Sequence, residues 1–387
     1  MINRIAEKEL LQLARQFKAV AIVGPRQSGK TTLARHAFGN KPYVSLENPD
    51  TRRFALDDPR GFLSQFPEGA VLDEAQRAPE LFSYLQQILD EDTTTGMFII
   101  TGSNNFLLQE NISQSLAGRL AYLYLLPFSI SELPPVALEN IHDLLFNGCY
   151  PPVYDQPVES ATWYINYIRT YIERDVRQLK NITDLNTFER FVRLCAGRIG
   201  QLLNMSGLAI ETGVDSKTIA SWISVLESSF ILYRLQPHHR NFNKRVVKMP
   251  KLYFYDTGLA CALLGIRDAR QLILHPLTGS LFENFVLGEF IKHRYNRAKT
   301  NNFYFWRDSV GHEIDVIIEN PQGLFPVEIK SGRTITPEFF KNLRFWQMLS
   351  GQTKGALIYA GDISEQRSNG IRIIPLQQLG TMEALND

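Results

Sequence analysis

The chain has 387 residues, 44% of them hydrophobic, and its 41 Lys and Arg residues almost balance its 40 Asp and Glu residues. This length exceeds one ordinary domain and predicts two or three, and the apolar content is sufficient for packed cores throughout. A formal net charge of +1 excludes a globally basic protein, so any surface for nucleic acid has to be a local patch.

The cysteines and the apolar runs of the sequence indicate the cellular compartment and whether a membrane segment is expected. The three cysteines, Cys149, Cys195 and Cys261, lie far apart without metal-ligand spacing, which is typical of buried thiols in a reducing cytosol. Residues 1–12 carry acids among their apolar residues, unlike a signal peptide, and no apolar run reaches the ~20 residues of a membrane span. We therefore expect a cytoplasmic protein without a membrane segment.

The first strong pattern in the chain covers residues 19–32. After a predicted amphipathic helix over residues 2–17, the run AVAIV at residues 19–23 predicts a buried strand of a parallel sheet. Residues 24–31, GPRQSGKT, then match G-x-x-x-x-G-K-[ST], the phosphate-binding P-loop, at every fixed position. Glycines let the backbone bend tightly and bring its N–H groups to an anion. The helix that begins near Gly29 directs its positive end at the phosphates.

The P-loop predicts ATP or ADP as ligand, with Mg²⁺ as cofactor. We expect Lys30 to reach the β- and γ-phosphates and Thr31 to give its hydroxyl to Mg²⁺. The residues expected to contact the nucleotide are Gly24, Pro25, Arg26, Gln27, Ser28, Gly29, Lys30, Thr31 and Thr32.

A second apolar strand, residues 69–74 (GAVLDE), ends in two carboxylates, which is the Walker B pattern. Asp73 would hold Mg²⁺ through water, and Glu74 would polarise the attacking water as general base. The alternative is an ordinary acidic loop. The position of this strand downstream of a P-loop favours the functional interpretation.

Two more features complete the predicted ATPase site. Residues 97–104 (MFIITGSN) predict a third strand, and in AAA+-type ATPases the strand beside Walker B ends in a polar residue that orients the lytic water. Ser103 or Asn104 is the candidate, and a simple strand-terminating turn is the alternative. Arg119 follows a helix-like stretch and is a candidate arginine finger for a neighbouring subunit's γ-phosphate in a homo-oligomer. The alternative is a surface arginine.

The middle of the chain predicts a helix-turn-helix. Prolines at 134–135 and 151–152 bracket a boundary, and residues 163–179 predict an aromatic helix that packs rather than binds nucleic acid. Helices predicted over 203–209 and 216–227 are joined by a turn that contains Gly213. The basic hairpin that follows resembles the wing of a winged helix. The expected DNA contacts are Lys217, Arg240, Lys244 and Arg245. A protein interface is the alternative, because many winged helices serve only in that way.

The last third of the chain predicts a helix over 279–294, strands over 302–306, 313–318 and 324–330, and a turn at 320–323. Glu328 and Lys330 alternate with Ile329 and share one face, and Asp315 lies on the paired strand. This is the D…E-x-K arrangement of restriction-like nucleases. Asp315 and Glu328 would hold Mg²⁺, and Lys330 would stabilise or activate the hydrolytic water. Glu283 would assist from the helix. Such spacing also arises by chance, and many folds of this kind only bind.

The order of the P-loop, LDEAQ, ITGSN, LAGR, LPFSISEL and GCYPPVY resembles a bacterial and archaeal family of AAA-type ATPases. In that family an N-terminal ATPase domain is fused to a C-terminal domain of uncharacterised function, and the resemblance covers nearly the whole chain. It implies an α/β ATPase core that ends near residue 135, a winged-helix region, and a C-terminal fold similar to restriction endonucleases.

We therefore predict an α/β chain of four parts. A P-loop NTPase (AAA+-like) domain with a parallel sheet covers 1–135, a helical linker or lid 136–185, a winged-helix domain 186–255, and an α/β restriction-endonuclease-like (PD-(D/E)xK) domain 256–387. The predicted function is Mg²⁺-dependent ATP hydrolysis whose nucleotide state controls a DNA-binding, nucleolytic C-terminal half. The alternative is a nucleotide-dependent switch whose C-terminal half binds a protein partner and has no nuclease activity.

Overall fold

The structure is a computed structural model that describes residues 2–102, 116–176, 184–239 and 246–381, without the side chains of 173–176 and 381. The chain divides into two compact units. The first comprises residues 1–128, 228–230 and 292–300, and the second comprises 129–227, 231–291 and 301–387.

The first unit is built on a parallel sheet. Its elements are α1 (Ala6–Gln16), β1 (Ala19–Val23), α2 (Lys30–Ala37), β2 (Tyr43–Ser45), α3 (Pro49–Asp57), α4 (Pro59–Ser64), β3 (Val71–Asp73), α5 (Leu81–Glu91), β4 (Phe98–Gly102) and β5 (Leu120–Tyr124). Among the described residues, five strands pair in parallel in the order β2-β3-β4-β1-β5. Every residue of β1 and β4 is buried, as expected of strands covered on both faces.

Helix packing fixes the position of the sheet. Helix α1 places Ala6, Leu10 and Leu13 on its buried side at helical spacing. These residues belong to one apolar cluster with Val20 and Ile22 of β1. Because all strands are parallel, the carboxyl ends of β1, β2, β3 and β4 meet at the same edge of the sheet, where the loops carry the polar residues.

The second unit begins with helices and ends with a mixed sheet. Its helices and strands are α6 (Ile141–Asn147), α7 (Pro151–Asp155), α8 (Ser160–Tyr167), a π-helical stretch (Ile168–Val176), α9 (Leu185–Ala196), α10 (Met205–Thr212), α11 (Ser216–Ser228), β6 (Leu232–Leu235), β7 (Lys251–Phe254), α12 (Thr257–Leu263), α13 (Thr278–Tyr295), β8 (Phe303–Arg307), β9 (Glu313–Asn320), β10 (Gly323–Lys330), α14 (Lys341–Ser350), β11 (Gly355–Tyr359), β12 (Glu365–Gln366) and β13 (Ile371–Pro375). The chain also contains the 3-10 turns Ala75–Arg77, Ile130–Glu132, Pro135–Leu138, Ala269–Ile273, Pro337–Phe340 and Leu376–Thr381.

Two sheets form in the described part of this unit. Strands β6 and β7 pair antiparallel, and six strands form a second sheet in the order β12-β13-β11-β10-β9-β8. Strands β9 and β10 form a hairpin in which Asn320 pairs with Gly323. Gly323 has φ 126°, a left-handed conformation that favours glycine at this turn. Trp306 and Trp346 contact edge to face in the core, with centroids 5.4 Å apart.

Some elements differ from the sequence prediction. The helix predicted over 163–179 begins at Ser160 and changes to π-helical geometry at Ile168. The helix predicted over 203–209 begins at Met205, because Asn204 caps it by accepting the Gly207 N–H at 2.9 Å, and it continues to Thr212. Gly213, with φ 78°, ends it as predicted for the turn. No helix in the described ranges is long and apolar enough to cross a bilayer.

Candidate functional site

The P-loop follows β1 and has the geometry that its glycines require. A Cβ atom on Gly24 would lie 2.1 Å from the carbonyl oxygen of Leu125, so only glycine fits there. Gly29 has φ 93°, and Gln27 has φ 62° although it is not glycine. The Arg4 side chain also contacts the loop, because its Nη1 donates a hydrogen bond to the carbonyl oxygen of Ser28 at 2.6 Å. The loop is thus tightly fixed in a conformation that suits an anion.

Lys30, at the start of α2, extends over the P-loop backbone. Its side-chain Nζ donates to the carbonyl oxygens of Gly24 at 2.9 Å and Pro25 at 2.7 Å, and only 5% of the residue is exposed. Burial lowers the pKa of Lys30 to about 8, although the carboxylates of Glu74 and Asp73 act in the opposite direction. An ammonium that is poorly hydrated and lies on the loop is well placed to bind phosphate.

Asp73, at the end of β3, accepts hydrogen bonds from three hydroxyl groups. Thr31 Oγ1 donates to Asp73 Oδ1 at 2.8 Å, and Thr101 Oγ1 donates to the same oxygen at short range. The Tyr43 hydroxyl donates to Asp73 Oδ2 at 2.7 Å. Burial and the hydrogen bond to Asp73 raise the pKa of Tyr43 to about 12, so the phenol remains a donor at neutral pH. Hydroxyl and carboxylate oxygens are ligands that suit Mg²⁺, and the residues present therefore fit this ion.

Thr101 and Tyr43 are site residues that the sequence analysis did not identify. Leu72 pairs with Ile100 in the β3–β4 ladder, which places Thr101 beside Asp73. Tyr43 lies on β2, the other neighbour of β3. A signal for Thr101 was present, because it is a polar residue near the carboxyl end of a predicted strand. Tyr43 carried no such signal, since its role depends on the order of strands in the sheet.

Glu74 directly follows β3 and has an unusual backbone conformation. Its φ is 54° and its ψ is 43°, in the left-handed region that non-glycine residues adopt at a cost of about 1–2 kcal/mol. Its N–H points to Thr101 Oγ1 at 3.4 Å, and Gln76 Nε2 donates to its carboxylate. Strain of this kind is common in functional sites. The charge of the Glu74 carboxylate acts on Lys30 of the P-loop, where it favours the charged ammonium.

The remaining predicted ATPase residues have different placements. Pro25 and Ser28 are buried in the loop, Arg26 is half-buried, and Thr32 is exposed on α2. Ser103 and Asn104 lie outside the described residues.

Arg119 lies at the opposite edge of the sheet from the P-loop of its own unit. Its carbonyl oxygen accepts the N–H of Ala19, the first residue of β1, whereas the P-loop follows the last. A five-residue strand separates these edges by ~16 Å. The guanidinium is engaged with Asp90, with Nη2 to Oδ2 at 2.9 Å. Arg119 therefore does not reach its own P-loop, and a finger that acts in a neighbouring subunit remains a prediction.

In the second unit, α10 and α11 are joined by the turn at Gly213. Asp215 caps α11 by accepting the N–H groups of Lys217 at 2.8 Å and Thr218 at 2.9 Å. Lys217 is exposed at the start of α11. Trp222 of α11 packs on Phe188 of α9, with ring centroids 5.3 Å apart, so α9 and α11 pack against each other. The other predicted DNA contacts, Arg240, Lys244 and Arg245, lie outside the described residues.

The structure brings Asp315, Glu328 and Lys330 together on the β9–β10 hairpin. Lys330 Nζ lies 3.2 Å from Asp315 Oδ2 and 2.7 Å from Glu328 Oε2. Burial and the neighbouring Asp315 raise the pKa of Glu328 to about 8. Although burial opposes its charge, Asp315 and Glu328 raise the pKa of Lys330 above its ordinary value. The carboxyl groups of Asp315 and Glu328 thus already contact one cation, the Lys330 ammonium, and when both are deprotonated they fit a divalent ion.

Glu283 has a different set of partners. It accepts a hydrogen bond from the Tyr253 hydroxyl, and Lys251 Nζ lies 3.2 Å from its Oε1. Lys251 also forms an ion pair with Glu313. Lys251 and Tyr253 were not identified from the sequence, because no motif marks them. Over the described ranges, no group of three or more His, Cys, Asp or Glu residues is arranged to hold a metal ion. Lys251 and Lys330 each lie between two acidic residues.

Comparison with known proteins identifies the parts of the chain. Residues 16–134 match an AAA domain, and residues 138–270 and 278–379 match two domains of unknown function, DUF8612 and DUF4143. The uncharacterized protein Rv2008c of Mycobacterium tuberculosis is 31% identical over 390 residues, which cover 100% of this chain and 86% of that protein. An uncharacterized protein of Haemophilus influenzae is 22% identical over 329 residues, which cover 76% of this chain and 80% of that protein.

Among solved structures, the Walker-type ATPase PABY2304 of Pyrococcus abyssi is similar with a TM-score of 0.47 and 13% identity, over 68% of this chain and 96% of that one. The AAA domain match and the parallel P-loop sheet confirm the predicted resemblance to AAA-type ATPases in the N-terminal part. The chain belongs to the same family as the mycobacterial protein Rv2008c, and its N-terminal domain is an AAA-type P-loop ATPase domain.

Proposed function

We propose that this chain hydrolyses ATP with Mg²⁺ and that its nucleotide state controls a C-terminal half that binds and cleaves DNA. The observation that carries the ATPase half of this proposal is the convergence of Lys30, Thr31 and Asp73 at one edge of the sheet. Glu74 follows Asp73 directly. These residues provide, within one site, a cation for phosphate, oxygens for Mg²⁺ and a carboxylate for water.

Each residue has a defined role in this mechanism. The Lys30 ammonium exchanges its two carbonyl acceptors for phosphate oxygens and neutralises their charge. Thr31 and Asp73 would hold Mg²⁺, and the ion would supply neutralisation of the phosphate charge. Glu74, fixed by Gln76, accepts the proton of the attacking water.

The lowered pKa of Lys30 predicts a proton uptake when ATP binds. At pH 8 about half of the Lys30 side chains are neutral in the free protein, and the phosphates restore the ordinary pKa of near 10.4, so about 0.5 proton per ATP is taken up. Calorimetry of Mg²⁺-ATP binding in buffers with different ionisation enthalpies measures this uptake. The uptake falls toward zero at pH 6, where Lys30 is already charged.

Failure of ATP and ADP to bind well-folded protein would refute the ATPase proposal. Binding at pH 8 without a buffer-dependent enthalpy would refute the assignment to Lys30. A Lys8→Met variant, which changes an exposed lysine of α1, is the control and retains the uptake.

The DNA-binding half of the proposal is supported by the helix-turn-helix arrangement. Helix α11 is capped by Asp215 and presents Lys217 on its exposed first turn. In helix-turn-helix proteins the start of the second helix is the part that reads base edges. Arg240, Lys244 and Arg245, which lie between β6 and β7 in the sequence, would contribute positive charge for phosphates.

The nuclease half is supported by the cluster of Asp315, Glu328 and Lys330. In this proposal Asp315 and Glu328 would hold Mg²⁺, which would supply Lewis-acid chemistry toward a phosphodiester, and the Lys330 ammonium would stabilise negative charge beside them. Wild-type protein is then expected to nick supercoiled plasmid with Mg²⁺, and Asp315→Asn to lower nicking to background. Asp362→Asn is the matched control, because Asp362 is exposed in the same unit and pairs only at the surface with Arg333.

The alternative of a nucleotide-dependent switch that binds a protein partner is favoured by one observation. Lys330 pairs with both Asp315 and Glu328, so an ammonium of the chain itself compensates their negative charge. Equal nicking by wild type and Asp315→Asn, or none by either while ATP is hydrolysed, would remove the nuclease proposal and support the switch.

A further inference from the structure

Lys251 is a buried cation in the second unit. It is the first residue of β7, and 4% of its side chain is exposed. Its Nζ lies 3.2 Å from Glu283 Oε1, forms a close ion pair with Glu313, and lies 5.5 Å from the centroid of the Phe305 ring. The ammonium thus connects strand β7, helix α13 and strand β9.

The acidic residues around Lys251 stabilise its positive charge in the buried position. An unpaired buried ammonium would cost several kcal/mol. Burial opposes the charge, but Glu283, Glu313 and Asp315 together raise the pKa of Lys251 above its ordinary value. Asp315 thus interacts with two lysines: it contacts Lys330 directly, and its negative charge also stabilises the charged form of Lys251. We call these two lysines and the acids around them the acidic cluster; its acids are Glu283, Glu313, Asp315 and Glu328.

The cluster consists of two similar halves. Lys330 lies between Asp315 and Glu328, and Lys251 lies between Glu283 and Glu313. The two halves differ in their access to solvent. The Lys330 side chain is 30% exposed at the end of β10, whereas Lys251 is enclosed, and the Tyr253 hydroxyl also donates to Glu283. The Lys330 ammonium can therefore leave its place for a metal ion, and the Lys251 ammonium cannot.

We propose that Lys251 is a fixed internal cation that occupies the place of a second divalent ion, so that the acidic cluster binds one divalent ion, between Asp315 and Glu328. Lys251 is a positioning residue in this role, because it holds Glu283 and Glu313 together and touches neither substrate nor metal. The inference rests on the proposed metal site at Asp315 and Glu328, but it does not require that DNA is cleaved.

The test is the number of Mn²⁺ ions bound per chain, measured by electron paramagnetic resonance of free Mn²⁺. The full chain is used without nucleotide and with Asp73→Asn in every variant, so that the P-loop site does not contribute. The parent is expected to bind one ion. Lys251→Met removes the positive charge and keeps a side chain of similar length. Glu283 and Glu313 then have no cation between them. We expect this variant to bind a second Mn²⁺ ion with an affinity at least tenfold higher than the affinity of the parent for a second ion. Lys341→Met, at an exposed ion-paired lysine, is the control and binds one ion.

Two further variants keep the test decisive. Lys251→Met combined with Glu283→Gln and Glu313→Gln removes the ion pair without leaving uncompensated acids, and it is expected to fold and bind one ion even if Lys251→Met alone does not fold. Asp315→Asn is expected to bind none. Two ions in the parent, one ion in folded Lys251→Met, or none in the triple variant would overturn the inference. Because the readout is binding, an inactive nuclease with one Mn²⁺ would refute cleavage and leave this inference intact.

Discussion

Replacement of Lys30 by methionine is expected to lower ATP turnover by about 10³-fold and, at the same time, to stabilise the nucleotide-free protein. The loss of turnover follows from removal of the cation that would bind the phosphates. The gain in stability follows from burial, because burial lowers the pKa of Lys30 from 10.5 to about 8 in the folded chain. That difference corresponds to about 3 kcal/mol of unfavourable free energy at pH 7, from which the lost hydrogen bonds to Gly24 and Pro25 must be subtracted.

The pH dependence of this effect has a definite sign. The folded-state pKa lies below the unfolded-state value, so below pH 8 the charged lysine binds its proton more weakly in the folded chain and destabilises it. As the pH rises from about 8 to 10.5, Lys30 loses its proton first in the folded chain and then in the unfolded chain. The free-energy cost of burying the charged lysine therefore disappears. Urea unfolding of wild type and Lys30→Met should therefore differ most at pH 7 and converge near pH 10.5. A variant that is equally or less stable at pH 7 would contradict the assignment.

Replacement of Asp256 by alanine is expected to cost about 3–5 kcal/mol of unfolding free energy in the second unit. The buried Asp256 carboxylate caps α12 by accepting the N–H of Leu259 at 3.0 Å. It also accepts the N–H of Cys149 at 2.7 Å and the hydroxyl of Tyr164 at 2.6 Å. Alanine would remove the acceptor of the buried N–H groups of Leu259 and Cys149, whereas the Tyr164 hydroxyl would keep the carbonyl oxygen of Asn147 at 2.9 Å. Chemical denaturation followed by tryptophan fluorescence measures the loss.

Asp268 offers a matched control for this prediction. It begins the 3-10 turn Ala269–Ile273 as Asp256 begins α12, and it accepts the N–H of Arg270 at 2.8 Å, but its surroundings are exposed to solvent. Water can replace the Asp268 carboxylate, so Asp268→Ala is expected to cost far less than Asp256→Ala. Equal losses from the two variants would show that capping, rather than the buried donors, sets the energy at Asp256.

The local parts of the candidate sites were predictable from sequence because their residues are close in the chain. The P-loop is a continuous motif, and Asp73 ends an apolar strand, so that both follow from patterns of fewer than ten residues. Asp315, Glu328 and Lys330 were predicted to meet because the turn at 320–323 joins two strands directly and period-2 alternation assigns Glu328 and Lys330 to one face.

The non-local contacts were not predictable in the same way. Tyr43 reaches Asp73 only because β2 is the neighbour of β3, and strand order is set by packing of the whole sheet. Lys251 meets Glu283 and Glu313 across three elements that are distant in the chain, and no local pattern marks it as one member of a buried ion pair. The π-helical geometry after Ile168 likewise has no marker in the helical periodicity of that stretch.

The placement of Arg119 has a consequence for regulation. Arg119, the candidate arginine finger among the described residues, lies the length of strand β1 from the P-loop of its own unit, so it would act only on the nucleotide of a neighbouring chain. The carboxylate of Asp90 also competes for the guanidinium. A phosphate on a neighbouring chain would have to displace this carboxylate before Arg119 could bind it. ATP hydrolysis would then depend on association of chains, and its rate per chain would fall as the protein is diluted.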